Sequence, residues 1–119
     1  MVPEKRRDLR YRAQLITTLT LGHETREITT DDVSFRGAFL RTELATGPRK
    51  LVRVSFLLPD HHEVSGHAMV VRVMTAGEAS YRAVLEGGIG IEFFGEISGR
   101  HRWDAFIQEL TKDPALRTG

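Results

Sequence analysis

Apolar and polar residues alternate along most of this chain, and the alternation gives way to a longer period only near the C-terminus. The clearest stretch is Leu51–Leu58, with Val52, Val54, Phe56 and Leu58 on one face and Arg53 and Ser55 on the other. That period of two predicts a half-buried strand. Ala13–Leu21 is rich in threonine and branched apolar residues and ends at Gly22, which predicts another strand. A short strand over Glu24–Thr29 follows, then Thr30-Asp31-Asp32 as a turn, then a strand over Gly37–Thr42. Gly47-Pro48 and Pro59-Asp60-His61-His62 read as turns and Ala76–Ser80 as a loop. Between and after them come strands over Val64–Met74, Tyr81–Leu85 and Ile89–Phe94. Then Trp103, Phe106, Ile107 and Leu110 fall at helical spacing. Ser98 is the expected N-cap, and Asp113-Pro114 ends the helix. So short a helix needs a surface to lie on. Six or seven strands and one helix predict a mainly all-β fold, an antiparallel barrel closed at one end.

At 119 residues the chain is expected to form one domain with a single core. Residues 1–12 are polar and highly charged and are read as a flexible arm, 13–112 as the barrel with its helix, and 113–119 as a tail. The net charge of +1 offers no overall field to gather nucleic acid or a membrane, so any basic patch is local. The absence of cysteine excludes a disulfide scaffold, a thiolate metal site and a cysteine nucleophile. It fits a reducing compartment, and a cytoplasmic location is expected. No apolar run approaches the ~20 residues of a membrane span, and the N-terminus lacks a secretory h-region.

Two stretches carry the chemistry. Lys5-Arg6-Arg7-Asp8-Leu9-Arg10 crowds Arg6, Arg7 and Arg10 together, an arrangement that calls for an anion between them. The guanidinium fork donates paired hydrogen bonds to phosphate, or to O6 and N7 of guanine, and its face stacks on a purine. The second stretch is Asp32-Val33-Ser34-Phe35-Arg36-Gly37. A carboxylate at Asp32 complements the N1–H and N2 donors on guanine's other edge, with the Ser34 hydroxyl beside it. Gly37 lets the backbone turn or a ring approach closely. Together these residue types suit a ligand bearing both guanine and phosphate.

The paired stretches resemble the signature of the PilZ domain family, receptors for the bacterial second messenger cyclic di-GMP. Arg6 and Arg10 match its Arg-x-x-x-Arg element, with Arg7 as the common additional arginine. Asp32, Ser34 and Gly37 match its Asp-x-Ser-x-x-Gly element. Gly88-Ile89-Gly90-Ile91-Glu92-Phe93 is similar to a strand near the family's C-terminal end. The resemblance implies a six-stranded antiparallel β-barrel with a C-terminal helix. It also implies an arginine arm that wraps cyclic di-GMP while Asp32 and Ser34 contact guanine. Asp8, inside the arginine element, departs from an all-basic cluster. With one domain, a receptor of this kind is expected to signal through a separate protein effector as an adaptor, with no catalysis and no cofactor besides the ligand.

Other residues point to less. His61, His62, Glu63 and His67 include metal-ligand types, but without an evident fourth ligand they read as solvated. Arg36, Arg41 and Arg53 could extend a basic rim. No nucleophile–base pairing and no glycine-rich phosphate loop stands out. Two alternatives remain open at this level. One is a PilZ-like protein-interaction module with weak or no nucleotide binding. The other is an OB-like barrel for single-stranded nucleic acid, which predicts aromatic residues spread over an exposed sheet face.

Overall fold

The computed structural model describes residues 9–42, 47–74 and 87–118. Eight strands are found among them: β1 (Arg10–Arg12), β2 (Ile16–Leu21), β3 (Glu24–Val33), β4 (Gly37–Arg41), β5 (Leu51–Leu57), β6 (Glu63–Met74), β7 (Gly88–Ser98) and β8 (Arg117–Thr118). One α-helix, α1, spans Arg100–Leu110, and a single 3-10 turn follows at Pro114–Leu116. All the pairings are antiparallel, and the strands run in the order β2-β5-β6-β7-β4-β3, with β2 also pairing β3. That last pairing closes six strands into a barrel, the architecture expected from the alternation. β1 continues along the same edge of β3 as β2 and carries β8 on its outer side.

Alternation fills the barrel. Leu19, Leu40, Val54, Phe56, Val64, Val70, Ile89 and Ile91 are nearly inaccessible to solvent, and Trp103 and Ile107 of α1 plug one end. Trp103 packs on Phe56 at 4.8 Å between ring centroids and edge-on to Phe93 at 5.2 Å. Such ring pairs each contribute about 0.5–1.5 kcal/mol beyond the area they bury.

Several boundaries differ from the sequence reading. Thr30-Asp31-Asp32 is not a turn: β3 runs through it to Val33, and one residue is accommodated as a bulge. The Thr30 side chain makes this possible. Its hydroxyl donates to Ala13 O at 2.5 Å and accepts from Leu15 N at 2.8 Å, so the irregular Ala13–Leu15 link between β1 and β2 has its polar groups paired. The sheet also extends into the segment read as an arm, through β1, and into the one read as a tail, through β8. The expected Ser98 cap is replaced by Gly99. β7 runs directly into α1, and the corner needs a left-handed residue, which Gly99 supplies at φ 84°. Ser98 instead ends the strand, opposite Ser65. The strand expected over Tyr81–Leu85 lies outside the described residues, as do Arg6 and Arg7.

Candidate nucleotide-binding face

The site is built on the outside of the barrel, where β1, β3, β4 and β7 lie side by side. Register decides what faces outward. On β1, Tyr11 pairs with Val33 and both are buried in the core, so Arg10 and Arg12 face away from it. On β3 the bulge falls between Thr30, opposite Leu40, and Asp32, opposite Phe39. Without that extra residue, strict alternation would turn Asp32 into the core. With it, Asp32 stands outward and its Oδ1 accepts from Arg10 Nη1 at 2.8 Å. The two residues, 22 positions apart in sequence, thus form one ion pair. The Asp31 carboxylate, beside the bulge, pairs with Arg41 of β4.

Asp32 is poorly solvated: its side chain keeps 19% of its accessible surface. Burial pushes its carboxyl above the ordinary carboxylate value, and the hydrogen bond and charge of Arg10 offset only part of that shift. An ionised group in this position has lost water contacts that one guanidinium does not replace. A ligand presenting further N–H donors would restore them.

Ser34 and Gly37 shape the turn after β3. Ser34 is buried, and its Oγ accepts from the backbone N–H groups of Arg36 and Gly37, each at 3.2 Å. The Ser34 N–H donates to Gly37 O at 2.9 Å. The hydroxyl therefore fixes the turn that begins two residues after Asp32. Gly37 is required by close packing: a Cβ there would lie 2.0 Å from Ile91 O on β7. The same turn is tied to the helix. Trp103 Nε1 donates to Ser34 O at 2.9 Å, and Arg100 Nη2 donates to Phe35 O at 2.9 Å.

Two residues of this face, Phe39 and Met74, were not singled out from the sequence as parts of the site. Phe39 is 7% exposed although it points away from the core. Its ring lies over Gly88 and Gly90 of β7: a Cβ on Gly88 would meet the ring at 2.8 Å, and one on Gly90 would lie 3.8 Å from it. The two glycines leave the space that this ring occupies. A further cluster member, Met74, is also buried beside Phe39. The signal for Phe39 was visible as an apolar residue out of phase with Ala38 and Leu40.

The remaining candidates do not gather into a site. His62 Nδ1 lies 3.2 Å from Asp60 Oδ2, and the His62 backbone N–H, donating to Asp60 Oδ1, lowers the Asp60 carboxyl below its ordinary value. Among the described residues no three His, Asp or Glu side chains are placed to share a metal ion. Nor is any described helix long and apolar enough to cross a membrane.

A sequence model of the PilZ domain matches residues 4–110. The solved structure of the Bacillus subtilis inhibitor of motility (MotI/DgrA) is similar in fold, with a TM-score of 0.72 and 18% sequence identity. The similarity covers 94% of this chain and 56% of that one, so the chain spans little more than half the length of that structure. No curated protein matches the sequence.

Proposed function

We propose that this chain, which belongs to the PilZ domain family, is a receptor for cyclic di-GMP that passes the signal to a partner protein. The family is one of nucleotide-binding receptors and adaptors rather than enzymes. The observation that carries the reading is the Arg10–Asp32 pair on the outer face of the barrel, beside the turn that Ser34 and Gly37 fix. It joins the two sequence elements whose chemistry suits phosphate and guanine.

In this reading Asp32 Oδ1 keeps Arg10, and the second carboxylate oxygen accepts from guanine N1–H and N2. Arg10, held by Asp32, presents its remaining donors to phosphate, and Arg6 and Arg7 close over the ligand from the segment before Leu9. Ser34 acts mainly by holding the turn, and Gly37 by allowing it. The turn's two bonds to α1 give ligand binding a route to a second surface, which a partner can read. The protein then acts as an adaptor in the cytoplasm, without catalysis.

The test is equilibrium binding to purified Asp32→Ala and Arg10→Ala. Each substitution is expected to weaken cyclic di-GMP binding by about 10- to 150-fold, from the loss of a charge-assisted contact of about 1.5–3 kcal/mol. Asp32→Ala should also narrow the preference over cyclic di-AMP, whose adenine has an acceptor at N1. Wild-type affinity and preference in both variants would refute this site.

A further inference from the structure

We propose that Arg72 is a further ligand-binding residue, forming the far side of the nucleotide site opposite Asp32. The inference rests on the receptor reading above and extends it to a strand that neither signature element includes.

β6 carries its own bulge, between Val70 and Arg72. Val70 pairs with Ile91 and both are buried in the core; one residue later in β7, Gly90 pairs with Arg72 rather than with Val71. Val71 is the extra residue. Without it, alternation would turn Arg72 toward the barrel interior. With it, Arg72 leaves on the outer face: a Cβ on Gly90 would touch the Cβ of Arg72 at 3.4 Å and the Phe39 ring at 3.8 Å.

Two separate bulges, at Asp31 and at Val71, thus turn two charged residues outward into one row. Read across the strands, that row is Arg12, Asp32, Phe39, Gly90, Arg72. Three strand spacings separate Asp32 from Arg72, about 14 Å between Cα atoms. Phe39, lying low over the β7 glycines, floors the gap between them. Arg72 is exposed, and among the described residues its side chain has no ion pair or hydrogen bond. Its charge acts on Asp32, favouring the ionised carboxylate.

An acidic group and a guanidinium standing outward in one row, with the Phe39 ring between them, carry the acceptor and donor sets that the two edges of guanine call for. Asp32 takes the donor edge, and Arg72 donates its fork to O6 and N7 on the acceptor edge. Arg10, on the other side of Asp32, is left for phosphate, beside Arg12, whose Nη2 donates to Ala115 O at 2.8 Å. The arrangement makes Arg72 a specificity residue: adenine carries an amine where guanine has O6, so the fork finds one acceptor instead of two.

The experiment is calorimetric titration of wild type, Arg72→Ala, Arg72→Lys and Asp32→Ala with cyclic di-GMP and cyclic di-AMP, with thermal melts as a folding control. Arg72→Ala is expected to melt like wild type, bind cyclic di-GMP roughly tenfold or more weakly and lose part of its preference over cyclic di-AMP. Arg72→Lys, which keeps the charge but not the fork, should recover affinity only in part. If wild type binds and Asp32→Ala weakens it while Arg72→Ala binds like wild type, the role of Arg72 is overturned and the receptor reading stands. If wild type binds no cyclic di-GMP, both fall.

Discussion

At the scale of single residues the proposed site turns on Asp32, because its place on the barrel sets stability against the binding proposed for it. Its carboxyl is raised above the ordinary value, chiefly by burial, so the folded protein takes up a proton more readily than the unfolded chain. The contribution to stability is therefore full below the unfolded value and is lost as pH rises through the raised folded value. Asp32→Asn removes the buried charge while nearly keeping the shape. Its melting temperature at pH 7 should be at or above that of wild type, with the difference vanishing below the ordinary carboxylate range. The same substitution should weaken cyclic di-GMP binding, since an amide offers guanine one acceptor instead of an ionised pair. A variant that melts lower at pH 7 would show that the Arg10 pair outweighs burial. Wild-type affinity should likewise decline as pH falls through the raised value. The carboxylate and the arginines were legible in the sequence because their chemistry is local. Which face they occupy was not, because the bulge at Asp31 inverts the alternation that would place Asp32 inside. Arg72 was hidden for the same reason, sitting in an apolar run where a period of two points it inward.

At the scale of elements the barrel strands were read largely in place, since a half-buried strand declares itself by its alternation. Leu51–Leu57 and Glu63–Met74 are the plainest cases. What alternation cannot reveal is a pairing made over distance. β1 and β8 are short and charged, and their strand character comes from the strands they pair with, β3 for β1 and β1 for β8, not from their own sequence. The helix was legible in its stripe but not in its start, because a corner that needs a left-handed residue prefers Gly99 to a serine cap. Its link to the site is Trp103, the chain's one tryptophan. Trp103→Phe keeps most of the packing but leaves Ser34 O buried without its donor, and it should cost about 1–3 kcal/mol in denaturant unfolding. An unchanged midpoint would show that the bond carries no net stability. Gly37→Ala places a methyl carbon within bonding range of Ile91 O, so β4 and β7 must part. Destabilisation of at least about 1–3 kcal/mol is expected, with weaker ligand binding alongside it.

At the scale of the whole molecule, the proposed receptor uses the barrel as the frame for one binding face, and in this reading ligand-dependent contacts of the preceding segment carry the signal. β1 anchors the chain at Arg10, so ligand-dependent ordering should be concentrated ahead of it. Ordering each residue costs about 1–2 kcal/mol, which the arginine contacts must offset. Amide exchange in residues 4–9 is expected to slow on adding cyclic di-GMP, with β5 and β6 unchanged. Equal exchange with and without saturating ligand would remove the arm from the switch while leaving binding intact. The central claim, that the Asp32 face reads guanine in a cyclic dinucleotide, is tested most directly by calorimetric titration of the intact protein with cyclic di-GMP and cyclic di-AMP in parallel. The account predicts saturable binding of cyclic di-GMP, at least about tenfold tighter than any binding of cyclic di-AMP. No binding of either, or equal binding of both, would contradict it.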